Sequence, residues 1–415
     1  MNSSSRFKLF IMMVLELFIW GAWLPMIFGY LDYLKFTPVQ AGWILNAFAL
    51  GSFLAMFFST QFADRNFAAE KFMAVSHFIG GLAMLGLFWA KDFWTFFALM
   101  LIHCLLYVPT LSIANSIAFT HIKDAQKEFG PVRMGGTVGW VLAAWPLFFI
   151  LGNKTGTDAQ SVKKVGFLVA GIAELLLAGF SLGLPHTPPK PATAGAQKFA
   201  WLEALSLLKT PFIMALFIVT FVDACVHQCY FIWTESFLSG RAGFAAKWGM
   251  PIMSIGQVAE IGTMAILGYF LKKLGWKKTM IFGILGHAVR FSVFAFFPEA
   301  QGLIVLIQVL HGICYAFFFA TVYIFVDEFF PKDIRSTAQG LFNFLIFGLG
   351  PFVGNFLWPK LGDIFKAADG KTILWNKLFL VPAGTAVVAA ILLLVMFHPP
   401  QKAEASGGGA GNGAH

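Results

Sequence analysis

Charge is scarce in this chain. Of its 415 residues 12% are Asp, Glu, Lys or Arg, roughly half the share typical of soluble domains. Cysteine is scarce as well. The four present, Cys104, Cys225, Cys229 and Cys314, form no CxxC pair, and two thiols on one helical face (Cys225 and Cys229) make no metal site. They read as small polarizable packing residues. There is no HExxH, no phosphate loop and no nucleophile–base pairing, which sets aside an enzyme, a metal and a cofactor. Also missing is any polar stretch large enough for an appended soluble domain. What remains is apolar: 58% hydrophobic residues with 50 Phe, and a mean hydropathy of +0.76. Such a composition specifies a polytopic, all-α membrane protein in contact with a lipid bilayer.

The hydrophobic windows predict twelve transmembrane helices. The first, from about Leu9, is Trp-rich without a small-residue cleavage site and reads as a span, not a removable signal. The longest polar connection is rich in Pro and Ala and divides the chain into six helices plus six. The expected organisation is a bundle at 1–185, a cytoplasmic linker at 186–209, a second bundle at 210–398 and a disordered tail at 399–415. Net charge is +9, but the basic residues are dispersed through short loops, which excludes a nucleic-acid surface. Arg6, Lys8, Arg65, Lys71, Lys123, Lys127, Lys272, Lys273, Lys277, Lys278, Lys332 and Arg335 fall on the side of the termini. Lys154, Lys163 and Lys164 oppose them. The bias predicts cytoplasmic termini in a bacterial inner membrane.

One acid interrupts the apolar run from Trp248 to Leu271: Glu260, with Gln257 a helical turn earlier. An ionisable group at mid-depth costs several kcal/mol, on the order of 3 by insertion scales, unless it faces a polar cavity. It therefore marks a substrate or proton pathway, against the plainer reading of a carboxyl paired for packing.

The halves echo one another. Ser59–Lys71 after the second span and Gly268–Lys278 after the eighth are both tight and basic. They resemble the loop signature of the major facilitator superfamily, Gly-x-x-x-Asp-Arg/Lys-x-Gly-x-Arg/Lys. The first copy keeps Asp64 and Arg65; the second keeps Gly268, Gly275, Lys277 and Lys278, with Lys272 in place of the acid. Trp20-Gly-Ala-Trp23, Tyr107–Ser116, Pro131–Gly139 and Ile334–Gly340 are similar to the nucleoside:proton symporter family within that superfamily. The resemblance implies a twelve-helix fold of two pseudo-symmetric six-helix bundles, alternating access, and no enzymatic step. It places substrate contacts on Arg133, Thr137, Gln228, Gln257 and Glu260, and gating on Asp64 and Arg65. Two departures bear on selectivity and coupling. Phe231 stands where members have Asn, and His311, Tyr315 and Ala316 stand where they have an aromatic pair followed by Asp.

Helical spacing groups the same residues independently. Gln257 and Glu260 share a face, as do Arg133 and Thr137, and His311 and Tyr315. Asp223 and His227 share one on the seventh span, with Gln228 beside them and Phe231 a turn from His227. Amides, a guanidinium, a carboxylate and aromatic planes suit a small polar ring compound. A nucleoside fits, and so does a sugar or glycoside. Glu260 is the proton-coupling candidate and His311 the second. For Arg133 the alternative is a residue snorkelling to the membrane surface, and for His311 a cross-helix hydrogen bond. Arg290, with no charged neighbour in sequence, requires a partner from another helix. The expected partners are a small-molecule substrate and protons, with the protein working as a monomer.

Overall fold

The computed structural model describes residues 3–58, 66–122, 125–189, 207–330 and 335–399. The expected gating residues Asp64 and Arg65, most of the linker and nearly all of the predicted disordered tail lie outside these ranges. Among the described residues there is no strand, only one antiparallel bridge between Lys366 and Ile373.

The first six spans are α1 (Ser3–Tyr33), α2 (Pro38–Phe58), α3 (Ala69–Leu87), α4 (Phe93–His121), α5 (Ala125–Leu142 continuing as Ala144–Leu151) and α6 (Gly156–Val162 and Val165–Ser181). The seventh is α7 (Pro211–Gly240). Gly249–Phe296 is a 48-residue helical stretch. At about 1.5 Å per residue this is roughly twice the ~30 Å hydrocarbon thickness. It turns back at Gly275, whose φ of 72° and ψ of 173° are non-helical and open to glycine because it lacks a Cβ. The part before Gly275 is α8 and the part after it α9. Then follow α10 (Gln301–Ile307, Val309–Cys314, Tyr315–Ala320, Thr321–Phe329), α11 (Arg335–Asn343, Phe344–Leu349, Gly350–Ile364) and α12 (Trp375–Met396). The segments Tyr315–Ala320 and Phe344–Leu349 are π-helical turns, a local widening often found at functional sites.

Two large buried clusters form. One draws on residues between Leu9 and Leu184 of α1–α6; the other draws on residues between Ile213 and Phe397, mainly from α7–α12. Outward side chains such as Phe78, Leu82, Leu176, Val388, Leu394 and Val395 are exposed, as lipid-facing positions must be. Glu70 at the start of α3 holds the beginning of the 186–209 connection. Its carboxylate accepts from Thr187 N at 3.0 Å and faces His186 Nδ1 at 2.8 Å.

The halves meet along α2 and α11. Gly42 lies against Phe356, and Phe53 against Phe344 and Phe352. At the end away from the termini, Met26, Leu147, Leu151 and Ala159 pack on Ala246 and Met250. Lys163 of α6 pairs with Glu235 of α7 there, both buried, and Lys247 Nζ donates to Asn153 Oδ1 at 3.0 Å.

Candidate functional site

The candidate residues lie between the halves, and glycines bring them together. Gly256 of α8 faces His311 of α10 so closely that a Cβ there would stand 2.7 Å from the His311 Cβ. A Cβ on Gly312 of α10 would collide with the Glu260 backbone. These two contacts let α8 and α10 lie nearly backbone to backbone, which sets Gln257 and Glu260 beside His311 and Tyr315.

Glu260 is partly buried and has no hydrogen-bond partner among the described residues; Arg133 of α5 is the charge that acts on it from the other half. Tyr315 is within electrostatic reach of both. Arg133 is exposed and Thr137 partly so. The acid is thus not fully enclosed, and a guanidinium of the other half acts on it.

Gln228 enters from α7. Its Nε2 donates to Asn355 Oδ1 at 2.7 Å, Asn355 Nδ2 donates to Asn46 Oδ1 at 3.0 Å, and Asn46 Nδ2 donates to Phe352 O at 3.1 Å. This amide chain crosses from one half to the other. Phe231 packs on the edges of His227, Tyr230 and His311 and faces Trp140 at 6.2 Å. Trp140 also meets Trp20, which stacks on Phe48 at 4.6 Å. Phe48, Trp20, Trp140 and Phe231 therefore form a run of half-buried aromatic planes contributed by both halves.

His311 differs from the other residues expected at the site. It is 2% exposed and lies behind Gln257, stacked on His227 with ring centroids 4.9 Å apart. Arg290 of α9 is fully buried. Its Nη1 stands 3.2 Å from His311 Nδ1 and its Nη2 2.9 Å from His287 Nδ1. The guanidinium lies over the Tyr230 ring, 4.2 Å from the centroid, a favourable cation–π placement. His287 Nε2 faces the buried Asp223 carboxyl at 3.7 Å. The partner that Arg290 needed is thus a pair of imidazoles with one carboxyl behind them.

A second polar cluster fills the core of the first half. His77 Nε2 is 3.0 Å from Glu16 Oε2, His103 Nδ1 is 3.2 Å from Glu174 Oε1, and Thr110 Oγ1 donates to Glu16 Oε1 at 2.7 Å. All are fully buried. All four cysteines are free and buried.

Sequence reasoning grouped Arg133, Thr137, Gln257, Glu260, His311 and Tyr315 by helical face; the structure sets Gln257 on His311 and Arg133 within electrostatic reach of Glu260 and Tyr315. It named Asn46 as a cross-helix polar group but missed Trp20, Phe48, Trp140 and Asn355, because an aromatic or amide inside a span has the same composition as packing. It also missed the Lys163–Glu235 pair, since Lys163 reads as a loop charge. An intramembrane acid at Glu235 was the available signal.

Two helical halves with separate buried cores, joined by polar contacts between them, have the architecture of membrane transporters. Comparison with known proteins agrees. The profile of the nucleoside H+ symporter family matches residues 2–402. The chain is 30% identical over 393 residues to a putative nucleoside transporter, YegT, of Escherichia coli K12, covering 92% of each chain. It is 27% identical over 405 residues to the xanthosine permease of the same organism, covering 94% of each. The crystal structure of the nucleoside transporter NupG superposes with a TM-score of 0.84 at 25% identity, covering 96% of this chain and 99% of that one. The chain belongs to the nucleoside H+ symporter family, and with it to transporters of the major facilitator fold, not to enzymes.

Proposed function

We propose that this protein takes up nucleosides across a bacterial inner membrane together with protons, by alternating exposure of the cleft between residues 1–185 and 210–398. The observation that carries this reading is the Glu260 carboxyl, partly exposed, without a hydrogen-bond partner among the described residues and within electrostatic reach of Arg133 of the other half. A carboxyl so placed can gain and lose a proton as the cleft changes sides. We assign ligand contact to Arg133, Thr137, Gln228, Phe231, Gln257 and Tyr315, with a base lying among Trp20, Trp140 and Phe231. Glu260 carries the coupling. His311 is enclosed behind Gln257 and serves to position it. The loop charges support cytoplasmic termini, and the separate cores support a monomer with two moving halves.

Uptake into proteoliposomes of labelled uridine, adenosine and glucose, with and without a proton gradient, tests the reading. Concentrative uptake of a nucleoside that collapses with the gradient is expected. Uptake of glucose alone would favour a sugar carrier, a reading that aromatic planes also suit. Gradient-independent flux would overturn the coupling.

A further inference from the structure

Arginine can only donate hydrogen bonds, and this one fact sets the direction of every bond around Arg290. Its Nη1 and Nη2 each face the Nδ1 of an imidazole, at 3.2 Å for His311 and 2.9 Å for His287. Both Nδ1 atoms must therefore be lone-pair acceptors. An imidazolium has no lone pair to offer, so both rings are neutral and carry their proton on Nε2. For His287 that proton faces Asp223, 3.7 Å from Nε2, whose carboxyl oxygens have no hydrogen-bond partner among the described residues.

For His311 the consequence reaches Gln257. The structure places the Gln257 amide nitrogen 3.2 Å from His311 Nε2, which sets protons against each other once Nδ1 is occupied by Arg290. A half-turn of the amide removes the conflict, since amide oxygen and nitrogen are distinguished by their hydrogen-bond network. The oxygen then accepts from His311 Nε2–H. The NH2 takes the position at which the Gln257 side-chain oxygen stands buried and without a partner among the described residues.

We propose that Arg290, acting through the tautomer of His311, holds the Gln257 amide with its oxygen on His311 and its NH2 at that buried, unpartnered position, so that a ligand atom filling it is a hydrogen-bond acceptor. Arg290 is then a positioning residue for specificity, some two side chains removed from the ligand. The groups that face the His311 ring are Arg290 from α9, Gln257 from α8, and His227, Tyr230 and Phe231 from α7. No carboxylate is among these. The ligand part of this proposal rests on the transport reading above; the tautomer part does not.

The test is 15N NMR of the detergent-solubilised full chain labelled at histidine, with His311 assigned from the spectrum of His311→Asn. The expected signature is a neutral ring with protonated Nε2 and bare Nδ1. A ring protonated at Nδ1, or at both nitrogens, overturns the proposal whatever the protein transports. In Arg290→Met, His311 is released to exchange tautomers, and the signature should become mixed; an unchanged spectrum also overturns it. Uridine binding is the second readout. Gln257→Glu keeps an acceptor for His311 but removes the NH2, and should weaken binding about tenfold or more. Unaltered affinity in that variant removes the donor role while leaving uptake by the parent protein intact.

Discussion

Lys163 of α6 and Glu235 of α7 form an ion pair buried between the halves, at the end away from the termini. Two glycines make room for it: a Cβ on Gly29 would meet the Lys163 ammonium, and one on Gly249 would stand 2.9 Å from the Glu235 side chain. Removing one partner of a buried pair leaves an uncompensated charge and costs about 3–5 kcal/mol. Lys163→Met or Glu235→Met alone should therefore open this end. A cysteine placed at Met250, which is 3% exposed, should label rapidly in either variant and slowly in the parent. The double variant should label slowly again. Equal labelling in all four proteins would show that the pair holds nothing shut.

Glu260→Gln replaces the unpartnered carboxyl with an amide of the same shape. Accumulation against a gradient should be abolished while exchange of labelled for unlabelled uridine across the membrane persists. Concentrative uptake at the parent level would assign coupling to another group.

Gly312 should tolerate no side chain. A Cβ there collides with the backbone of Glu260, so Gly312→Ala must separate α8 from α10. Nucleoside stabilisation in a thermal-shift titration should fall by at least about tenfold in apparent affinity, since overpacking costs about 1–3 kcal/mol. Expression and unliganded melting should fall less than in Gly139→Ala, where the Cβ would strike the Val14 backbone within one half, away from Glu260.

Asn355 receives from Gln228 and donates to Asn46. Asn355→Leu leaves two buried or half-buried amides unmatched, at about 1–3 kcal/mol each. Asn46→Leu should be nearly as harmful. The double variant should be less harmful than additivity predicts, because the two share one network; strict additivity of the melting shifts would deny the chain its cross-half role.

Asp369 lies in the exposed turn between α11 and α12. It accepts from the backbone of Lys371 at 2.8 Å and of Thr372 at 2.9 Å. These bonds, with that from the Thr372 hydroxyl, favour the carboxylate and lower its pKa from 3.8 to about 2. A carboxyl depressed in the folded state stabilises above its unfolded pKa, and the contribution is lost only as pH falls through the folded value. The turn therefore stays closed from about pH 4 to 7, and Asp369→Asn should leave the pH profile of uptake unshifted in that window. A shifted profile would place part of the proton response in this turn.

Much of the architecture is readable along the chain because lipid imposes it. Every backbone polar group in hydrocarbon must be paired within its own helix, so each span must be long and apolar, and each break must be polar or carry glycine. The turn at Gly275 and the division after α6 follow from that constraint. The faces of the site are readable too: Gln257 with Glu260, and Arg133 with Thr137, lie one helical turn apart, and that spacing is local.

Partners across helices are not local. The sequence required a partner for Arg290 but held no information that it would be His287 and His311. It contained Lys163 and Glu235 as two unrelated charges 72 positions apart. Their pairing arises only when glycine faces such as Gly29, Gly249, Gly256 and Gly312 let helices approach to backbone distance. Composition and periodicity alone determined a polytopic helical membrane protein with an acid inside one span, because solvation by lipid acts on each segment separately. Tertiary structure decided which charges meet, which amides bond across the halves and which aromatic planes adjoin, because those depend on close packing between segments distant in the chain.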